Sequence, residues 1–173
     1  MGLFRTDIFT EVRVRFFFWL LLTSVVVSGQ EFMVRLQMDN AHVQELYFAC
    51  KEGCSIGYDS GNDIYCPPGG MGNRGLAWFV VTEPKQPALY KDVRGCVFPQ
   101  QWTLFAQPPQ DGSLTFSWAE AQFPDGLVFE LRHAEKVIDM RTVRQFSVTE
   151  KTELVIAVSK PTVAAGEQEN GKK

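Results

Sequence analysis

The chain has 173 residues, 45% of them hydrophobic and 21% charged, with a formal net charge of −3. That length suits one ordinary domain. The acidic balance argues against nucleic-acid binding, because such binding rests on neutralising phosphates with Lys and Arg. It also argues against electrostatic docking to an anionic membrane.

Residues 1–29 read as a segment apart from the domain. Arg13 and Arg15 precede "FFFWLLLTSVVV" (Phe16–Val27), and small residues follow up to Gly29. A charged start, a short apolar core and a small-residue exit describe a secretory signal peptide, with Gln30 as the first mature residue. An uncleaved N-terminal anchor is the alternative, although the run is short of the ~20 apolar residues of a bilayer span. Export implies a secreted or cell-envelope location.

From Phe32 onward the hydrophobic pattern has a period of two. The predicted strands are 32–38, 43–50, 76–82, 88–94, 101–107, 113–119 and 127–132, then "KVIDMR", "QFSVT" and "ELVIAVS". "LAWFVVT" is almost continuously apolar and reads as a central buried strand. "ALYKDVR" is shorter and more polar. "SLTFSWA" alternates Leu114, Phe116 and Trp118 against Ser113, Thr115 and Ser117, so one face is core and the other wet. "PPQDG" and "FPDG" supply the turns. Trp102, Phe116, Trp118, Phe129, Leu131, Phe146 and Ile156 are the expected core. Short strands recurring with Gly/Pro turns signal an all-β sandwich or barrel. The expected fold is a two-sheet antiparallel immunoglobulin-like β-sandwich over 30–160, followed by a tail, Pro161–Lys173, too small and polar to fold.

The long loop between Lys51 and Gly75 contains "GYDSGNDIYCPPGG" (57–70). Asp59, Asn62 and Asp63 offer three oxygen-bearing side chains, the ligand type that calcium takes. The EF-hand spacing fails: Gly61 holds the third ligand position, Ile64 replaces the required glycine, and Gly70 stands where the bidentate Glu should be. The competing reading is a turn in which both aspartates accept local backbone N–H bonds. Calcium is the only cofactor the chain suggests; otherwise none is expected. Tyr58, Tyr65 and Tyr90, on or beside this loop, are candidates for a small ligand-binding patch.

All four cysteines, Cys50, Cys54, Cys66 and Cys96, lie after the apolar run. An even count in an exported chain favours disulfides over a zinc site. Of the three pairings, Cys50–Cys54 across the "KEG" turn leaves Cys66–Cys96 as the second bridge, and that pairing is the expectation. Asp92/Arg94 and Asp139/Arg141 each share a strand face at i and i+2 and could pair, within a strand or across two. The two histidines, His42 and His133, sit in turns outside any nucleophile motif, so no catalytic residue is named.

"LYFACKEGCSIGYDSGNDIYCPP", "LAWFVV", "KDVRG", "WTLFAQ", "SLTFSWAEAQFPDGLVFEL" and "VIDMR", in this order, resemble the immunoglobulin-like or fibronectin-III-like modules of bacterial secreted and surface proteins. Such modules are often found ahead of a C-terminal sorting segment. The resemblance runs from about Phe32 to Ser159. It departs from the group in its four cysteines and in standing alone instead of being appended to an enzyme or adhesin. It implies a sandwich fold and a cell-surface location, and no catalysis. The function expected is a non-enzymatic extracellular or envelope-associated interaction module. The alternatives are a carbohydrate-binding module, stabilised or not by calcium, and, third, a small secreted hydrolase. The expected partner is a protein or glycan at the cell surface, with a membrane contacted only through an uncleaved N-terminal segment.

Overall fold

A computed structural model describes residues 29–67, 73–81 and 88–162. The expected signal segment Phe16–Val27 and most of the expected tail lie outside the described residues. Among the described residues no helix is long and apolar enough to cross a membrane.

The described residues are nearly all β, in keeping with the period-two pattern. Its strands are β1 (Phe32–Asp39), β2 (Glu45–Cys50), β3 (Ile64–Tyr65), β4 (Leu76–Val80), β5 (Leu89–Arg94), β6 (Gln100–Gln107), β7 (Leu114–Ser117), β8 (Val128–His133), β9 (Lys136–Asp139), β10 (Gln145–Val148) and β11 (Thr152–Ser159). One 3-10 turn, Glu120–Gln122, interrupts them. The strands form one continuous sheet in the order β10-β7-β1-β2-β5-β4-β6-β11-β8-β9, with β3 attached to β5. The expectation of antiparallel pairing throughout is corrected at the β2–β5 ladder, which is parallel, with Phe48 opposite Asp92 and Cys50 opposite Arg94, and at the isolated parallel bridge Ala41↔Gly75. Parallel neighbours need a long crossover, and residues 51–88 provide it.

The sheet curls on itself. Phe129 of β8 lies 5.1 Å from Phe32 of β1 and 6.5 Å from Phe48 of β2, ring centre to ring centre, although β8 is far from both in sheet order. The inner face carries alternate residues of nearly every strand: Val34, Leu36 and Met38 from β1, Trp102, Leu104 and Ala106 from β6, Leu154, Ile156 and Val158 from β11. Six of the seven expected core residues are buried; Phe146 is half-buried and packs against the core from the side. The apolar run in β4 is an alternating strand after all. Ala77 and Phe79 point inward, while Trp78 turns outward and stacks on Phe105 at 4.2 Å.

Candidate functional site

The loop after β2 is tied to the sheet by covalent and polar bonds, in an arrangement the sequence did not disclose. The disulfide is Cys50–Cys96, Cα to Cα 5.1 Å, and Cys54 and Cys66 are free. This overturns the expected Cys50–Cys54 and Cys66–Cys96 pairing. The cause is the parallel register of β2 on β5, which ends both strands together and brings Cys50 level with the residues that lead into Cys96. Cys54 and Cys66 stand at opposite ends of β5. The Cys66 N–H donates to Ala88 O at 2.7 Å, whereas Cys54 O lies against Gly95, 2.7 Å from where a Cβ would be. The length of β5, roughly 20 Å at ~3.3 Å per residue, separates them. Gly29 also presses on this corner, so closely that a Cβ there would collide with the Cys96 carbonyl.

Asp59, Asn62 and Asp63 build a turn. Asp63, only 8% exposed, accepts the Val93 N–H of β5 at 2.7 Å and the Asp59 N–H at 2.6 Å, one on each carboxylate oxygen. Asp59 accepts the Gly61 N–H at 3.1 Å and the Asn62 amide at 2.8 Å. The Asn62 oxygen accepts Lys51 Nζ at 2.9 Å. These bonds, led by the Asn62 amide, hold the Asp59 carboxyl below its usual value. Every oxygen offered as a calcium ligand therefore has a protein donor. Among the described residues no group of three or more His, Cys, Asp or Glu stands ready for a metal.

Beneath the loop, β5 carries a bulge. Its register on β3 steps from Ile64↔Lys91 to Tyr65↔Leu89, which leaves Tyr90 as the extra residue. The bulge resets the alternation, so that Leu89, Asp92 and Arg94 are all buried. Arg94 grips Asp92 with two donors, Nε at 3.0 Å and Nη2 at 2.7 Å. Its third nitrogen donates to Gln101 O, and its guanidinium stacks over Trp102 at 5.6 Å. The i, i+2 pair anticipated from the sequence thus forms within one strand, but inside the core. Burial pushes the Asp92 carboxyl up, against the pull of Arg94. The second such pair does not form: the Arg141 guanidinium goes instead to the Pro124 and Leu127 carbonyls.

The outer face above this pair is an open groove of about 340 Å³. Met33, Ala49 and Val93 form one row across β1, β2 and β5 and make its apolar floor. Glu31, Lys51, Asn62 and Lys91 make its rim. Of the exposed apolar side chains, Met33 lies in it and Ile64 stands opposite Lys91 of its rim. Met33 lies on β1, Ile56 and Tyr58 on this loop, Ile64 and Tyr65 on β3, and Val97 follows the bridged Cys96; of the large exposed hydrophobics only Val137 and Val143 lie elsewhere among the described residues. Of the three tyrosines expected to form a patch, Tyr65 stands opposite Leu89 on β3 and Tyr90 is the bulged residue next to Leu89 on β5. Tyr58 is on the preceding turn. Tyr90 is half-buried, and burial together with a Cys66 hydrogen bond pushes its phenol up to about 12. His133 shares a hydrogen bond with Thr152 Oγ1 at 3.1 Å, and His42 is held through its backbone N–H on Gly75 O.

The sequence reading missed Met33, Ile56, Ile64, Lys91, Val93 and Val97. An apolar residue on the wet face of an alternating strand, such as Met33 or Ile64, was the signal available. The chain matches no protein-family description, no curated protein and no solved structure.

Proposed function

We propose that this protein is an exported, non-enzymatic interaction module that takes a protein partner on the outer face of β1, β2, β5 and β3, beneath and beside the loop 51–66. The observation that carries the reading is that most of the large exposed apolar side chains belong to three neighbouring pieces of chain: Met33 in the charged-rimmed groove, the segment 51–66 that supplies Lys51 and Asn62 of its rim, and Val97 beside the bridge. Surface hydrophobics scattered singly need no explanation, whereas a collected, polar-rimmed set marks an interface. The finer fold reading belongs to the same proposal: the two halves of the curled sheet, packed through Phe32, Phe48 and Phe129, correspond to the faces of an immunoglobulin-like sandwich of the bacterial surface-protein type. A disulfide is the cross-link expected of an exported chain. Cleavage before Gln30 then follows, and mass spectrometry of the native protein should find Gln30 or a near neighbour first; an intact Met1 would support the anchor instead.

The lysines make the test. Cross-linking of the exported protein to its surroundings should place partner links on Lys51 and Lys91, at the groove. Links confined to Lys136, Lys151 and Lys160 would refute the docking face. Ile56→Ser with Ile64→Ser should abolish the groove links while leaving the melting temperature within a few degrees.

A specific observation favours a glycan as the second reading. A polar cleft of about 480 Å³ lies at another corner, where Asn40, Arg74 and Asp111 converge from three loops with Gln37 and Gln44. Amides, carboxylate and guanidinium suit hydroxyl-rich ligands. The tryptophans give no platform there, since Trp102 and Trp118 are buried. Glycan-array binding lost in Arg74→Ala but kept in the Ile56/Ile64 variant would select this reading over the first.

A further inference from the structure

Three of the four cysteines meet at one corner, and only two of them are bonded. Cys50 ends β2 opposite Arg94, and Cys96 follows two residues after Arg94. Lys51 N–H donates to Arg94 O at 2.9 Å, and the chain then turns back, Cys54 N–H to Lys51 O at 3.3 Å. That turn sets the Cys54 carbonyl onto Gly95, the residue before Cys96. The backbone of a cysteine with a free thiol is thereby held beside a disulfide, four residues along the chain from Cys50 and with its carbonyl against the neighbour of Cys96. The two sulfurs of the bridge differ in access. Cys50 is buried, 2% exposed, while Cys96 and Cys54 are both only partly buried.

We propose that Cys54 is an exchange thiol that moves the bridge from Cys50–Cys96 to Cys54–Cys96 within the folded protein. Cys54 Sγ gives its proton to water and attacks Cys96 Sγ. The Cys54–Cys96 bond forms as the Cys50–Cys96 bond breaks, and Cys50 leaves as a thiolate that takes up a proton from solvent. One disulfide is exchanged for another, so no oxidant or reductant is consumed. The buried site at Cys50 favours the neutral thiol that the step leaves there. The result is mechanical. The anchor of Cys96 passes from the sheet to the loop, two residues from Ile56, and the loop that rims the groove is fastened directly to the β5–β6 connection. The inference does not depend on the proposed docking function, because its readout is the position of a covalent bond.

The groups facing Cys54 set the pace. Burial first, then the negative charge of Asp59, hold its thiol above the ordinary value; Asp63 and Glu31 act in the same direction and Lys51 opposes them. The exchange is therefore slow near neutrality and gains about tenfold per pH unit while the thiolate fraction is still small.

The experiment maps thiols in time. Folded, oxidised protein is held at a series of pH values between about 7 and 9. Aliquots are acidified, alkylated under denaturing acid conditions and peptide-mapped. Label should leave Cys54 and enter Cys50 in equal measure, or be shared between them from the outset, with Cys66 labelled throughout. Cys54→Ser should hold Cys50 unlabelled at every pH, and Cys66→Ser should leave the migration unchanged. Full labelling of Cys54 at all times, with Cys50 never labelled, would overturn the proposal. So would loss of label from Cys66 at the same rate, which marks general scrambling through the unfolded chain.

Discussion

Asp92 and Arg94 illustrate how a buried ion pair is supported and what it costs. Two charges leave water, and the interior repays that only when every donor and lone pair finds a partner. Here Arg94 spends its donors on Asp92 and Gln101 O and lies over Trp102, whose indole N–H donates to Asp92 O at 3.2 Å. Arg94→Met should leave the Asp92 carboxyl buried without its cation and cost about 3–5 kcal/mol. Asp92→Leu combined with Arg94→Met should recover most of that loss in urea melts. A double variant as unstable as the single one would mean that the pair does more than satisfy itself. Tyr90 gives a pH prediction. Its folded phenol, held up to about 12 from an ordinary 10.0, keeps its proton longer than the unfolded chain does. Folded protein then binds more protons across that window, so stability is full below the ordinary value and falls as pH rises from it toward the folded one. Alkaline melts of Tyr90→Phe should lose this decline, and the variant's phenolate absorbance should lack the late-titrating step.

At the scale of elements, β5 and its loop separate what was legible from what was not. The strand itself was readable from "ALYKDVR", and so was the i, i+2 spacing of Asp92 and Arg94. Its polar composition suggested a wetter strand, yet it lies inside the sheet, because two charges that satisfy one another can be buried in place of apolar residues. The bulge at Tyr90 was unreadable, since it comes from how β3 meets β5 across 26 residues of chain. The disulfide was misread for a related reason: spacing favours the near neighbour Cys54, whereas the partner is set by the parallel register of β2 on β5. The turn reading of Asp59 and Asp63 was legible, because short acidic side chains beside glycines bond local N–H groups. What the sequence left out is that Asp63 also reaches β5. Asp63→Ala should strand two N–H donors, those of Asp59 and Val93, and cost about 2–4 kcal/mol. Asp63→Asn, which keeps one acceptor oxygen, should cost less. Hydrogen exchange at the Val93 amide checks the cause: an amide as protected in Asp63→Ala as in the wild type would mean that the carboxylate is not its partner.

At the scale of the whole molecule, the described strands form a single sheet whose two ends are brought together, and Trp118 stands at the seam. Alternation alone placed Phe116, Trp118, Phe129 and Leu131 on the inner face, because each strand needs one buried side wherever it sits. Alternation does not say which strands neighbour which, and so the single curled sheet was out of reach of the sequence. The ends, β10 and β9, are joined by the short turn Met140–Arg144. Trp118, just past β7, closes it: its backbone N–H donates to Arg144 O at 3.1 Å and its indole N–H to Met140 O at 2.7 Å. Met140 N–H in turn donates to Phe129 O of β8 at 3.0 Å, and Met140 is fully buried. One side chain therefore couples β7 to the β8–β9 end of the sheet through packing and a hydrogen bond together. The two contributions can be told apart by size. Trp118→Ala removes a large buried ring and leaves a cavity, which should cost about 3–5 kcal/mol. Trp118→Phe retains most of the ring volume but withdraws the donor from Met140 O, which Arg144 Nη1 also approaches at 3.0 Å. Because that carbonyl keeps a second donor, the Phe variant should lose only about 1 kcal/mol. Chemical melts of both variants decide the matter. A loss below about 1 kcal/mol for Trp118→Ala would show that the seam is not held by the ring. Equal losses for the two variants would place the coupling in the indole N–H instead of the packing.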